Sequence, residues 1–437
     1  MSNKAVKAAY ALLTSRDAGR GSGDMSESIR DVQPSNFFKH VFSLASTKTG
    51  DGLSSPKLVL SWLLNAMGAP AFMVGLLVPI REAGSLLPQL FTADYIRRMP
   101  HRKWAWVAGS VVQSICIACM GATVLLFEGK TGGSMIVGLL AVFAIARSVS
   151  SVSYKDVLGK TVAKSTRGTA TGTAGSIASG SVFCFGLLIA TGVLPLTTKA
   201  IAIALFVAAG LWLFAAGLFS TLTEERSDAE GAKKPANIAR KQLHLLKDDP
   251  QLRRFILGRG LLTATALAPP YLLIMTGREG NRGLGDLGLF VIISAVAGMC
   301  STYIWGRLAD KSSRKVLILA GLIAAVALAL AGATQFVSVP ENILRWHLPA
   351  MLLLLMVAYQ GVRLGRSTHL VDMAAQDTRA AYTAISNTAI GIILLISGAF
   401  GALAQTLGVG VTLLSFAAMS VAAAFVCTGL KEVQKSQ

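Results

Sequence analysis

The sequence is poor in charged residues, and acidic residues are especially scarce. Charged side chains make up 14% of the 437 residues, and 22 acids stand against 41 bases. Hydrophobic residues account for 53%, which is a larger share than a soluble globular domain usually carries. This composition excludes an ordinary soluble globule and indicates a polytopic membrane protein.

Several functional motifs are also missing. There is no G-x-x-x-x-G-K-[ST] phosphate loop, no G-x-S-x-G nucleophile elbow and no H-E-x-x-H, which argues against ATP-driven transport by this chain alone and against hydrolysis. Residues 1–36 are polar and lack the short apolar core of a signal peptide. We therefore expect neither enzyme activity nor a cofactor. The five cysteines all lie in apolar stretches without a metal-binding pattern, and we expect no metal at them: Cys116, Cys119, Cys184, Cys300 and Cys427.

Long apolar runs predict membrane-spanning helices. Runs such as 110–127 and 315–337 approach or exceed the roughly 20 residues that cross a bilayer, and loops or open sheets cannot cross it because their backbone groups would stay unpaired. We predict an all-α membrane protein with twelve transmembrane helices in two pseudo-symmetric six-helix bundles. The predicted spans are 40–64, 69–97, 104–127, 132–154, 168–194, 198–222, 254–276, 284–306, 315–337, 347–371, 380–406 and 409–430.

The spans divide the chain into five parts. We expect an N-terminal tail at 1–39, a first bundle at 40–222, a linker at 223–253, a second bundle at 254–430 and a C-terminal tail at 431–437. The tails and the loops on the tail side hold 29 of the 41 bases, and the opposite loops hold five. Cytoplasmic loops carry such an excess of lysine and arginine, so both termini and the linker are predicted to be cytoplasmic. The positive charge then suits anionic lipid, and it requires no nucleic acid partner.

A charge pattern recurs in the two halves. "RSVSSVSYKD" (147–156) and "RLGRSTHLVD" (363–372) both read Arg-x3-Ser-x4-Asp, 216 residues apart. Arg102 and Lys103 follow the second span, and Arg314 and Lys315 follow the eighth, 212 residues later. The nearly constant offset indicates a duplicated six-helix unit with both copies in the same orientation, which is a parallel repeat.

The loop after the eighth span reads "GRLADKSSRK" (306–315) and resembles the G-x-x-x-D-[RK]-x-G-[RK]-[RK] loop of the major facilitator superfamily. Ser313 stands where the family has glycine, and the first-half counterpart (90–103) keeps mainly its basic end. With the span count and the central linker, the resemblance covers residues 40–430. It implies two bundles that rock around a central cavity. It also implies a cytoplasmic gate at Gly306, Asp310, Lys311, Arg314 and Lys315.

Four charged residues lie inside the first two spans. "SLASTKTGDGLSSP" (43–56) places Lys48 and Asp51 three residues apart, on one helix face, between glycines that allow unwinding or close packing. Arg81 and Glu82 lie mid-way along the second span. A charge at mid-bilayer costs about 2.5–3.5 kcal/mol on the insertion scale, so these groups must face a polar interior. We expect Glu82 to pair with Lys48 and Arg81 with Asp51, either as a binding site or as a lock between two helices.

Further bases lie in later spans. Arg259 is expected to line the cavity or to reach the surface, and Lys57 has no assigned role. Arg147, Arg363 and Arg366 lie near the cytoplasmic end, where we expect each to act as a gate latch with Asp156 or Asp372.

These features favour a secondary active transporter of a small anionic or zwitterionic solute in a bacterial-type inner or plasma membrane, and we expect it to be a monomer. The binding residues are predicted to be Lys48, Asp51, Arg81, Glu82 and Arg259, and Asp51 and Glu82 are predicted to couple transport to protons. Two alternatives stay open: a multidrug or metabolite exporter with an apolar cavity, and a membrane sensor or scaffold that transports nothing.

Overall fold

The computed structural model describes residues 3–14, 27–226, 246–277, 283–337, 341–374 and 378–434. Within those ranges the chain is helical and contains no strand. Residues 227–245 of the predicted linker, and the predicted outer-loop bases Arg278 and Arg282, lie outside the described residues. The α-helices are numbered α1 (Asn3–Thr14), α2 (Glu27–Leu53), α3 (Val59–Ala66), α4 (Ala71–Leu86), α5 (Gln89–Arg97), α6 (Lys103–Leu126), α7 (Gly129–Thr161), α8 (Arg167–Ala190), α9 (Thr198–Ser220), α10 (Pro250–Leu261), α11 (Ala264–Leu267), α12 (Pro269–Gly277), α13 (Gly283–Ala333), α14 (Glu341–Met373), α15 (Arg379–Ser397), α16 (Ala399–Thr406) and α17 (Val409–Thr428).

Among the described residues, eight helical segments are long and apolar enough to cross a membrane. One of them, Leu287–Ala333, contains 47 residues and bends at Ser312, where φ is −167° and ψ is 99°. A membrane needs only about 20 residues per pass, so this segment accommodates two of the predicted spans. The all-α membrane fold is therefore confirmed. The count of twelve stays a prediction for the first, second and seventh spans, whose helices are interrupted.

Proline accounts for the places where those three spans break. The chain leaves the helix at Ser54–Leu58, around Pro56, and at Pro88 between α4 and α5. Pro269 begins α12 after a short break. Proline lacks an N–H and clashes with the preceding turn, so each of these spans is built from consecutive shorter helices.

Two segments of the N-terminal tail are helical. Residues 3–14 form α1, and the first long helix begins at Glu27 rather than near residue 40. Tyr10 packs edge-on against Phe37 with ring centroids 5.2 Å apart, and its hydroxyl accepts a hydrogen bond from Gln33. The apolar side of a short amphipathic helix thus finds a partner on α2.

Equivalent contacts hold each half together at the end of the bundle where the termini lie, which we call the basic end. In the first half, the Asn36 amide donates to the Thr223 carbonyl and accepts from its N–H. In the second half, the Gln251 amide accepts from the N–H of Lys431 and donates to the Gly429 carbonyl. Each pair joins the first helix of a half to the chain that follows its last helix, as a parallel repeat predicts.

In each half, a glutamate that follows the last helix makes a further equivalent contact. The Glu224 carboxylate accepts from the backbone N–H groups of Arg102 and Lys103, at 3.0 and 2.8 Å. In the second half, Glu432 accepts a 2.7 Å hydrogen bond from the Ser312 hydroxyl and lies 3.7 Å from Arg314 Nε. Both glutamates thereby fix the loop between the second and third helices of their own half, so each half is held as one unit at the basic end.

The two halves approach each other most closely at the opposite end, which we call the far end. A methyl group added at Gly75 of α4 would lie 2.5 Å from Cα of Gly401 of α16. One added at Gly288 of α13 would lie 2.6 Å from the Ala190 backbone nitrogen, at the end of α8. Such contacts require glycine because backbones meet there without an intervening side chain. The far end of the interface is therefore closed by tight backbone packing.

Gly75→Ala tests this closure. The added methyl group would press on the backbone at Gly401, so we expect the far end to open and the population to shift toward a state open at that end. Spin labels at positions 69 and 407, in a background without native cysteines, would report a longer inter-label distance. Gly138→Ala is the control because nothing lies within 4 Å of a methyl group there. An unchanged distance distribution in Gly75→Ala would contradict the assignment.

Candidate functional site

An ion-pair cluster joins α2, α4 and α7. The Asp51 carboxylate accepts a 2.8 Å hydrogen bond from Arg81 Nη2, and its other oxygen lies 2.6 Å from Arg147 Nη1. The Arg81 guanidinium also lies over the Phe143 ring, 4.9 Å from its centroid. The Arg81–Asp51 pair expected from the sequence is present. Arg147, which was expected to pair with Asp156 or Asp372, contacts Asp51 instead.

Close packing of α2 brings this cluster together. A methyl group added at Gly50 would lie 2.5 Å from the Trp212 ring, and one added at Gly52 would overlap Val182. The helix stays regular through both glycines and ends at Leu53. The glycines in the first span therefore permit close approach of α8 and α9 rather than unwinding.

Glu82 does not pair with Lys48. Among the described residues, no basic nitrogen lies within 4.0 Å of the Glu82 carboxylate, and the Lys48 amine lies near Gly175 of α8. Neighbouring helical residues point about 100° apart. Because Arg81 faces Asp51 in the first half, Glu82 is turned toward the second half, where it lines a cavity with Arg259 and Arg366.

This cavity lies between the halves and has a volume of about 60 Å³. Glu82 of α4 comes from the first half, and the other charged residues come from the second. Lys57 lies at its edge, with the amine 3.5 Å from the centroid of the Tyr359 ring. We call it the inter-half cavity, and its polar lining consists of Glu82, Arg259, Thr263, Thr265, Tyr359, Arg363 and Arg366.

Arg259 is the most deeply buried base in the inter-half cavity, with 7% of its surface exposed. Its Nη1 donates to the Ser386 hydroxyl at 2.7 Å, and its Nη2 donates to the Asn387 carbonyl oxygen at 3.1 Å. Its Nε is buried without a hydrogen-bond partner. Within the part of the chain that the structure describes, no carboxylate lies within 4.0 Å, so neutral groups orient this cation without neutralising it.

A second cavity lies within the first half and has a volume of about 180 Å³. Arg147 and Lys155 line it, together with the polar side chains of Gln113, Ser150 and Tyr154. It adjoins the ion-pair cluster from the side of the basic end. Both cavities give buried charges of the described residues a polar surrounding.

The gate acids have partners other than those expected. Asp156 lies 3.1 Å from Arg102 Nη1, and Asp372 accepts a hydrogen bond from the Gln434 amide. Arg363 and Arg366 form no ion pair with a described carboxylate and line the inter-half cavity instead. The pairing of Arg147, Arg363 and Arg366 with Asp156 or Asp372 was therefore wrong. The repeat shows which positions correspond in the two halves, but it does not determine which residues contact them.

The loop at 306–315 lies at the bend between the two parts of α13. Asp310 and Lys311 are exposed, and Gly306 lies one turn earlier. Arg314 donates to the Leu430 carbonyl, and the Lys315 N–H donates to the Ser312 hydroxyl. All these recorded contacts stay within the second half.

Ser313, which departs from the family motif, is fully buried. Its hydroxyl lies 2.9 Å from His369 Nδ1 and also hydrogen-bonds Gln434. The Ser313 hydroxyl therefore makes two contacts that a glycine could not make, one with His369 on α14 and one with Gln434 beyond α17.

Sequence reasoning did not identify Ser386, Asn387 and Tyr359 as parts of the site. The first two form an adjacent polar pair within an apolar span, "ISNTAIGIILLIS" (385–397). Polar residues in a membrane span seek partners, and that pair was the available signal. Tyr359 gave no signal, because an aromatic residue in a membrane helix is unremarkable.

The fold and the polar interface together define a transporter-type membrane protein with two matched halves. The sequence profile described as Major Facilitator Superfamily matches residues 41–356. Because the match covers more than half of the chain, the protein belongs to that family. No curated protein sequence matches the chain.

Solved structures agree on the fold. The nucleoside transporter NupG superposes with a TM-score of 0.67 and 12% identity, covering 90% of this chain and 98% of that one. The xylose transporter XylE from E. coli, in an inward-open conformation, gives 0.66 and 14%, covering 92% and 97%. A POT family transporter in complex with a thioalcohol-conjugated peptide gives 0.68 and 10%, covering 89% and 94%. At such identities these similarities establish the fold alone.

The ion-pair cluster makes a testable contribution to stability. Asp51→Asn removes the charge shared by Arg81 and Arg147, so two cations would be left close together, and we expect a loss of about 1–3 kcal/mol. Thermal unfolding of the purified protein in detergent measures this effect. Adding Arg81→Gln should restore part of the lost stability because one of the uncompensated charges disappears. Strictly additive losses in the double variant would argue against the cluster.

Proposed function

We propose that this protein is a secondary active transporter that moves a small anionic or zwitterionic solute by alternating access. The observation that carries the proposal is the buried guanidinium of Arg259, which faces the inter-half cavity and has no described carboxylate within 4.0 Å. Removing one partner from a buried charge is strongly unfavourable. A bound anion is the natural counter-ion for such a site.

The position of the cavity supports alternating access. It lies where the halves face each other, near the middle of the predicted spans 69–97 and 254–276, and the far end is closed by the Gly75–Gly401 and Gly288–Ala190 contacts. We infer that the chamber opens toward the basic end. Opening the far end would require these backbones to separate while each half keeps its own hydrogen bonds.

The basic end is proposed to be cytoplasmic, in a bacterial-type inner or plasma membrane, because it carries most of the bases. On this view residues 1–39, 223–253 and 431–437 are cytoplasmic segments around the bundles 40–222 and 254–430. Asp310, Lys311, Arg314 and Lys315 are proposed to act at the gate there. The ion pair between Arg314 and Glu432 favours a structural role for this loop, in which it keeps the second half rigid.

We propose Glu82 as the main proton-coupling residue. Its carboxylate lines the inter-half cavity together with Arg259 and Arg366, and no basic nitrogen of a described residue lies within 4.0 Å of it. Gaining a proton would remove its attraction for these bases and leave them free for the solute. Asp51 keeps a secondary place, because Arg81 and Arg147 already hold both of its oxygens.

The alternative of a multidrug exporter is less well supported. Drug-sized ligands need pockets of roughly 300–1,000 Å³ lined mainly by apolar and aromatic groups, whereas the inter-half cavity is small and rich in arginine. A sensor or scaffold that transports nothing would have no use for a buried cation that faces a cavity between the halves. Flux of a labelled solute in vesicles separates all three functions.

Proton coupling is tested in proteoliposomes with an imposed proton gradient. We expect Glu82→Gln to abolish gradient-driven accumulation, by about tenfold or more, while solute exchange across the membrane continues. Asp51→Asn is the comparison and should reduce both activities together, because it disrupts the ion-pair cluster. If Glu82→Gln and Asp51→Asn both retain full gradient-driven transport, the coupling proposal is wrong.

A further inference from the structure

The inter-half cavity has an unequal balance of charge. Three guanidinium groups line it, those of Arg259, Arg363 and Arg366, and Glu82 supplies the one carboxylate in its described lining. The formal charge of this lining is therefore positive by two.

The three arginines of the cavity differ in how firmly neighbouring side chains hold them. Ser386 and Asn387 hold Arg259 in place through neutral acceptors, which leaves its charge intact and its Nε without a partner. Arg366 is half-buried and Arg363 is exposed, and neither contacts a described carboxylate. One fixed and two adaptable guanidiniums surround the same space. Guanidinium groups match carboxylates and phosphates through paired hydrogen bonds.

Charge balance distinguishes between the ligand classes that the proposed function allows. A zwitterion would bring one carboxylate and one ammonium, so the charge of the occupied site would stay positive by two. A monoanion would leave it positive by one. A dianion neutralises the lining completely while Glu82 remains ionised, and buried charges that stay uncompensated are costly.

We propose that the inter-half cavity binds a small solute with two negative charges, a dicarboxylate or a phosphate monoester. Arg259 and Arg366 hold one end of its charge, and Arg363 holds the other. This assignment rests on the proposed function and narrows its substrate class.

A series of four-carbon solutes tests the charge requirement. Purified full-length protein in nanodiscs is titrated with succinate, monobutyl phosphate, butyrate, 4-aminobutyrate and erythritol, and binding is measured by thermal shift and calorimetry. Ligands that bind the folded state raise its melting temperature by mass action. We expect succinate or monobutyl phosphate to bind at least about tenfold more tightly than butyrate and 4-aminobutyrate. The stronger of these two dianions identifies whether the site prefers carboxylates or a phosphate.

Arginine variants test the location. Arg366→Gln and Arg259→Gln should each raise the dissociation constant for the dianion by about 10- to 100-fold, as expected for a lost hydrogen bond between charged groups. Arg307→Gln is the matched control, because Arg307 is an exposed base in the same half that lies against Tyr303 outside the cavity. If Arg259→Gln does not fold, Arg366→Gln, whose side chain holds no ion pair with a described residue, still decides the question.

The possible failures are distinguishable. Equal binding of butyrate or 4-aminobutyrate would overturn the dianion assignment and leave an anion or zwitterion transporter in place. Dianion binding that survives both cavity variants would overturn the location. Absence of dianion binding at millimolar concentration would also overturn the assignment. Preferential binding of erythritol would contradict both this inference and the proposed function.

Discussion

The structure depends on one constraint, which is that a charge inside a membrane protein needs a partner or water. The chain satisfies it differently in its two halves. In the first half, Asp51 is held between Arg81 and Arg147, and this cluster joins α2, α4 and α7. In the second half, the described partners of Arg259 are the neutral acceptors Ser386 and Asn387. The first arrangement stabilises a bundle, whereas the second leaves a charge available for a ligand.

The same constraint explains how the halves can move. At the basic end, hydrogen bonds between described residues connect groups within one half. They join Asn36 to Thr223, Glu224 to Arg102, and Glu432 to Ser312. At the far end, contact between the halves is made by glycines and apolar side chains. Backbone packing of this kind separates without leaving polar groups unsatisfied. Two rigid units with a weakly bonded interface suit alternating access.

Much of the architecture could be predicted from the sequence, because apolar runs and loop bases report directly on the bilayer. The Arg81–Asp51 pair was also predictable, since the i, i+3 spacing of Lys48 and Asp51 implied a shared polar face. The partner of Glu82 was not, because adjacent helical residues diverge and only tertiary packing decides which one faces the other half. The repeat likewise related Arg147 to Arg363 without revealing that one contacts Asp51 and the other lines a cavity. Ser386 and Asn387 were missed because their role depends on a base 127 residues earlier.

The central claim is that a hydrated, positively charged chamber between the halves opens toward the basic end. The most direct measurement is the reactivity of a cysteine placed in its wall at Ala266, which lines the inter-half cavity, in a background without native cysteines. Anionic and cationic methanethiosulfonate reagents would be added from the side of the basic end, and their rate ratio compared with that for a free thiol. The account predicts that the anionic reagent is favoured by about tenfold or more, since charged clefts concentrate counter-ions to that extent. No reaction from that side, or a preference for the cationic reagent, would contradict it.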